Sequence, residues 1–312
     1  MNNLLITGAC GYVGSALVDA LDKRNVIAID RVNSYSDTKK INRFFNADLN
    51  CMPSEIKNDL FGFSGIVIHL AAARTDDANR MTYLADNIDA TKALIGTLDA
   101  SKIEKFIHIG SVAAIDGEKL DQNSSRPDNS DDWYRLTKFR QQDLIEQWAT
   151  ENSVPLVILA PSAVYDERAT QHSTNIGRLE KIVRFLKVVP SVNILKSLTA
   201  MPLLINAILS LANMKDKKKQ LKDNVVIKRY LILDQPIMTV TDICKKKFNV
   251  KVVIYIPKLK FLLLFFAAML RVLKLDRWVP LSQDRVNKLF RATAYCEGHG
   301  YSVWKNEEFK SY

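Results

Sequence analysis

Six short apolar runs, at residues 3–7, 26–30, 44–49, 66–70, 106–109 and 156–159, punctuate the first half of the chain. Longer stretches with helical periodicity lie between them, among them 12–23, 83–101 and 134–151. Strands buried on both faces read as unbroken apolar runs, whereas a strand with one wet face alternates. Parallel neighbours need crossovers, and the periodic stretches supply them. The pattern predicts an α/β fold, a Rossmann-type doubly wound parallel sheet over residues 1–160. Beyond Pro161 the elements are less regular, with apolar helices expected at 203–212 and 260–273 and a strand near 230–233 that returns to the sheet or pairs beside it. Residues 161–312 are therefore expected to form a smaller C-terminal substrate-binding lobe, partly interleaved with the Rossmann sheet.

The loop after the first run reads Thr7-Gly8-Ala9-Cys10-Gly11-Tyr12-Val13-Gly14 and opens the first helix. Gly8 permits the tight turn, Gly11 lets the backbone approach a diphosphate, and Gly14 lets helix and strand pack closely. Amide groups of the helix start then face the phosphates. Within a strand–loop–helix context this is a specific dinucleotide signal. Asp30 ends the second strand, where a carboxylate accepts hydrogen bonds from the adenosine ribose and repels a 2′-phosphate, so NAD is the expected cofactor. The adjacent Arg31 is the residue that could admit NADP. Tyr134 and Lys138 stand four apart on a predicted helix and so share one face. An ammonium beside a phenol favours the phenolate, which can take a proton from a substrate hydroxyl. Ser111 follows the fifth strand, 23 residues before Tyr134, and its hydroxyl is placed to hold the reacting oxygen.

These motifs, taken in order, resemble the extended short-chain dehydrogenase/reductases, in particular the NAD-dependent epimerase/dehydratase family typified by UDP-glucose 4-epimerase. The glycines have that group's GxxGxxG spacing. Ala47-Asp48-Leu49 looks like its acidic turn, whose Asp contacts the adenine, and His69-Leu70-Ala71-Ala72 is similar to its HxAA signature beside the cofactor. Arg74 falls where related epimerases carry a basic cofactor contact, and Asn87-Ile88-Asp89-Ala90-Thr91 resembles the start of the following long helix. The resemblance implies cofactor contacts from Gly8, Cys10, Gly11, Tyr12, Val13, Gly14, Asp30, Asp48, Leu49, Leu70, Ala71, Ala72, Arg74, Asn87, Tyr134, Lys138 and Pro161. It implies catalysis by Ser111, Tyr134 and Lys138, a nucleotide-sugar substrate, and a homodimer through the helices at 83–101 and 134–151.

Two departures narrow the chemistry. Dehydratases of this group carry an acidic pair just after the serine-like position, whereas Ser111-Val112-Ala113-Ala114 has no acid, which disfavours elimination of water. Leu159-Ala160-Pro161-Ser162-Ala163-Val164-Tyr165-Asp166 resembles LRPxNVYG, with Ala160, Ala163 and Asp166 replacing the usual Arg, Asn and Gly. The expected activity is 4-epimerisation of a UDP-hexose through a keto intermediate. The alternatives are a keto-sugar reductase or hydroxysteroid-type dehydrogenase, and a non-catalytic NAD-binding protein.

Composition changes this picture little. Net charge is +10, but the densest basic run, Lys215 to Lys222, lacks interleaved aromatics and reads as a solvated loop, so no nucleic-acid partner is expected. Cys10, Cys51, Cys244 and Cys296 are scattered, without metal-ligand spacing, so neither a metal site nor a disulfide framework is expected. No secretory signal is recognised at the N-terminus, and cytoplasmic residence follows as the expectation. The ten apolar residues from Phe261 to Leu270 read as a buried helix. The basic residues from 258 to 274 around them make a helix lying on a membrane surface the alternative.

Overall fold

The computed structural model describes residues 3–21, 25–32, 41–73, 79–122, 130–166, 187–214, 225–247, 251–256, 258–272 and 283–305. Its centre is an eight-stranded, wholly parallel sheet: β1 (Leu4–Thr7), β2 (Val26–Asp30), β3 (Arg43–Asn46), β4 (Gly65–His69), β5 (Ile103–Ile109), β6 (Leu156–Pro161), β7 (Ile227–Ile232) and β8 (Ser302–Val303). The strand order is β3-β2-β1-β4-β5-β6-β7-β8, so the winding reverses between β1 and β4. A doubly wound sheet opens its ligand crevice at such a switch point, beyond the carboxyl ends of the strands. The apolar runs are buried as their pattern requires: Leu4, Ile6, Val26, Ala28, Ile66, Ile68, Ile107 and Leu159 join one core.

The chain divides into two compact units. The first holds residues 1–166, 199–233 and 296–312, and thus the whole sheet. Its helices are α1 (Tyr12–Ala20) and α2 (Ser54–Gly62), then α3, a run of Arg80–Tyr83, π-helical Leu84–Asp89 and Ala90–Ile95. They continue with α4 (Ala113–Gln122), α5 (Ser130–Glu151) and α6 (Met201–Asn213). The strand expected near 230–233 does return to the sheet, pairing parallel with β6 from Ile227 onward. The helix expected at 83–101 ends earlier, at Ile95, and a short 3-10 turn at Ala100–Lys102 precedes β5.

Two devices lock the late segments onto the early ones. Lys105, buried in β5, donates to the carbonyls of Leu211 and Met214, both at 2.8 Å, and so caps the carboxyl end of α6. On the other side Arg229 of β7 grips Glu146 of α5 through two hydrogen bonds of 2.8 and 2.7 Å, and the Tyr301 hydroxyl donates to Gln142 at 2.6 Å. Helix α5 is thereby fixed from the sheet. Against α4 it packs at backbone distance, since a Cβ on Gly117 would lie 2.1 Å from the Arg135 carbonyl oxygen.

The second unit holds residues 167–198 and 234–295. Within it Val188–Pro190 pairs parallel with Val252–Ile254, and Leu195–Lys196 antiparallel with Met238–Thr239. Helix Leu259–Val272 packs against helix Gln283–Phe290. The buried helix expected at 261–270 is a helix but is not buried: Ala267 is its buried apolar residue, and Phe261, Leu262, Phe265, Phe266 and Met269 are exposed. The basic run at 215–222 lies outside the described residues.

Candidate active site

The segments leaving the carboxyl ends of β1, β2, β3 and β4 enclose an open cleft of about 570 Å³. Of the residues expected to meet a cofactor, Gly8, Cys10, Gly11, Asp30, Asp48, Leu49, Leu70, Ala71 and Ala72 line it. Tyr12, Val13 and Gly14, in the first turn of α1, do not line it, and Arg74 lies outside the described residues. Gly8 has φ +71°, and a Cβ there would lie 2.7 Å from the Ala71 amide nitrogen. The loop therefore sits against the β4 turn as only glycine permits. Gly11 begins α1, and no side chain caps that helix among the described residues. Its first amide groups are left to an anion, which suits a dinucleotide diphosphate.

Asp30 is held by two backbone amides, one from the glycine loop and one from its own: Oδ2 accepts from the Cys10 amide and Oδ1 from the Val32 amide, each at 2.9 Å. Both oxygens retain acceptor capacity for ribose hydroxyls. Arg31, the residue that could favour a 2′-phosphate, is bound on both arms to Asp86 at 2.9 and 2.8 Å. That pairing holds the guanidinium pKa above its ordinary value and offsets its charge. With Asp30, Asp48 and Asp86 all lining the cleft, the local balance disfavours an extra phosphate there. Asp86 had no motif to announce it.

Below the cleft lies a buried polar network that centres on α5. Lys138, 3% exposed, donates to Gln141 Oε1 at 2.6 Å. Gln141 Nε2 donates to Thr91 Oγ1 at 2.9 Å and to the Ala71 carbonyl at 3.4 Å. Thr91 donates in turn to the Asn87 carbonyl at 2.8 Å. His69 bridges Thr7 (2.7 Å, Nδ1) and Thr91 (3.0 Å, Nε2), while Thr7 Oγ1 accepts from the Ala71 amide at 3.3 Å. One proton arrangement satisfies all of these bonds, with His69 as the Nε2–H tautomer and Thr7 donating to Nδ1. Burial and the nearby Lys138 push the His69 pKa down to about 3, so the ring stays neutral. Asn87 reaches the cleft indirectly: Oδ1 accepts from the Ala73 amide at 2.8 Å and Nδ2 donates to Thr137 at 2.9 Å. Gln141 and Thr137 flank Lys138 by three residues and one, and no motif marked either of them.

Tyr134 stands one turn before Lys138 on α5, its ring 5.9 Å from that of Tyr83. Ser111 follows β5, and its Oγ accepts from the Ala113 amide at 3.1 Å as α4 begins. The next residue, Val112, donates its amide to the carbonyl of Pro161 at 3.1 Å, so the ends of β5 and β6 are tied beside it. Tyr12 lies close to Asp166, and burial with that carboxylate raises its pKa.

Burial alone drops the Lys138 pKa from 10.5 to about 7. Between these values the folded state is neutral and the unfolded state charged, so stability rises with pH; below about 7 the cost of burying the ammonium is felt in full. Replacing Lys138 by Met is therefore expected to raise the unfolding midpoint at pH 6 by a few degrees, at about 2 °C per kcal/mol. Loss of the bond to Gln141 offsets part of that gain, and the gain fades toward pH 10. Thermal melts of both proteins across this range measure it, and an unchanged or lowered midpoint at pH 6 would contradict it.

A model of the NAD dependent epimerase/dehydratase family matches residues 4–201. Among known proteins, the chain is 24% identical over 174 residues to N-acetyl-alpha-D-glucosaminyl-diphospho-ditrans,octacis-undecaprenol 4-epimerase of Escherichia coli O157:H7, covering 54% of this chain and 50% of the relative. It is 28% identical over 185 residues to an uncharacterized UDP-glucose epimerase of Bacillus subtilis, covering 53% and 57%. The chain thus spans about half the length of these relatives. In fold it is similar to the crystal structure of UDP-glucuronic acid 4-epimerase from Bacillus cereus in complex with NAD, with a TM-score of 0.61 and 20% identity over 82% of this chain and 86% of the other.

Proposed function

The chain belongs to the NAD dependent epimerase/dehydratase family, and on that premise we propose that it is an NAD-dependent nucleotide-sugar epimerase, acting at C4 of a UDP-linked hexose. The observation that carries this reading is α5, where Tyr134 stands one turn before Lys138, which is buried and hydrogen-bonded to Gln141. Tyr134 takes the proton of the sugar hydroxyl, Ser111 hydrogen-bonds the same oxygen, and the Lys138 ammonium favours the phenolate. NAD, when bound, would accept the hydride from the sugar carbon and supply it again to the opposite face of the keto sugar. After the keto sugar turns over in the site, Tyr134 returns the proton to the oxygen of the epimer. Gly8, Gly11 and the start of α1 would hold the diphosphate, and Asp30 the adenosine ribose. Ser111-Val112-Ala113-Ala114, without an acid, argues against dehydration.

Ala160, Ala163 and Asp166 stand where the family motif has Arg, Asn and Gly, so the substrate contacts differ there, and the second reading in the same fold is a net keto-sugar reductase or hydroxysteroid-type dehydrogenase. One experiment tests both. The purified protein is incubated with a panel of UDP- and dTDP-sugars while NADH absorbance and sugar products are followed together. An epimer formed without net NADH change is the expected result, stoichiometric NADH change supports the keto-sugar reductase, and no product with any sugar overturns both sugar readings. The reading carries with it a homodimer through α3 and α5, checked by mass in solution. It also carries cytoplasmic residence, which the four free cysteines suit.

A further inference from the structure

The second unit carries an exposed apolar surface on one of its helices. Helix Leu259–Val272 turns Phe261, Leu262, Phe265, Phe266 and Met269 to solvent, with Phe261 69% and Phe265 66% exposed. These positions fall at i, i+1, i+4, i+5 and i+8, so they form one stripe along the helix. Elsewhere on the helix Ala267 is buried, and Gln283–Phe290 of the same unit packs against it. Lys258 and Lys260 stand at the start of the stripe and Arg271 at its end. From Lys251 to Val272 the chain has no aspartate or glutamate.

We propose that this stripe docks on an anionic lipid surface. The five apolar side chains enter the boundary between headgroups and acyl chains, and Lys258, Lys260 and Arg271 lie among the lipid phosphates. Fourteen residues make a helix about 21 Å long, short of the roughly 30 Å of a bilayer's hydrocarbon, so it lies in the surface. Among the described residues no helix is long and apolar enough to cross a membrane. Charge decides between lipid and a second copy of the chain. In a two-fold contact the patch would meet itself, setting these cations against one another with no carboxylate in the segment to neutralise them. Lipid phosphates supply that counter-charge.

The test is co-sedimentation of the full chain with vesicles of phosphatidylcholine alone and of phosphatidylcholine mixed with phosphatidylglycerol. The protein is expected to pellet with the anionic vesicles, less as salt is raised, and far less with the neutral ones. A Phe261→Ser/Phe265→Ser/Phe266→Ser variant is expected to stay in solution. A Lys258→Gln/Lys260→Gln/Arg271→Gln variant is expected to bind about a hundredfold more weakly, at about fivefold per charge. NAD affinity, which belongs to the first unit, stays unchanged in both. Absence of pelleting by the native chain, or binding by both variants as tight as that of the native chain, overturns the proposal. So does a native dimer that the phenylalanine variant loses while vesicle binding is unaltered. If circular dichroism shows that the phenylalanine variant is misfolded, the charge variant decides alone. The outcome is independent of which sugar the first unit turns over.

Discussion

Replacing Tyr134 by phenylalanine is expected to lower turnover on the nucleotide sugar by about a thousandfold, within the roughly 10²–10⁴ that positioned proton transfer supplies. The structural effect should be small. The phenyl ring keeps the contact with Tyr83 at 5.9 Å, and Lys138 keeps its bond to Gln141. NAD affinity is expected to hold within about twofold, because the loss falls on the transition state and not on ground-state binding. Product formation, NAD titration and the melting midpoint, measured on one preparation, separate the possibilities. Full turnover would remove Tyr134 from the proton-transfer role, and a parallel fall in melting temperature would make its role structural.

Replacing Gly14 by alanine is expected to weaken the cofactor site by a purely steric route. A Cβ there would lie 2.1 Å from the Gly8 carbonyl oxygen and 2.9 Å from Ala9 Cα and carbonyl carbon. Every atom met is backbone, so no side chain can swing aside and α1 must move off the loop. Overpacking of this kind costs about 1–3 kcal/mol of stability. The same shift takes the amide groups of α1 off the diphosphate, and losing charge-assisted hydrogen bonds worth about 1.5–3 kcal/mol weakens binding about ten- to a hundredfold. Gly62→Ala is the control: nothing lies within 4 Å of the added carbon. That change is expected to leave NAD binding intact and to stabilise the chain by about 0.4–1 kcal/mol. Equal behaviour of the two variants in calorimetric titration would sink the steric account.

The sheet was legible because both faces of its strands are covered, which leaves runs such as Leu4–Thr7 and Gly65–His69 almost free of polar positions. The glycine loop and Asp30 were legible because their chemistry depends on backbone shape and on the end of a strand, both local properties. β8 was not, since two residues, Ser302 and Val303, carry no period. Nor was exposure of the helix Leu259–Val272, because an apolar run reads the same whether it meets a core or a surface. Gln141 and Asp86 escaped for another reason. Each works by pairing with a residue distant in sequence, Gln141 with Thr91 and Asp86 with Arg31, and only the folded sheet brings those partners together.

The π-helical turn at Leu84–Asp89 has a consequence for descent. Ala90 donates its amide to Ala85, five residues back, so the turn holds one residue more than an α-helix would. That extra residue lets adjacent positions serve two clients, Asp86 toward Arg31 at the cleft and Asn87 toward Ala73 and Thr137 beneath it. Deleting one residue here would restore a regular helix yet rotate one of the two side chains away from its partner. A lineage that lost the arginine could shed the extra residue at little cost, and one that kept it could not. The Arg31–Asp86 pair and the length of this turn should therefore be inherited together.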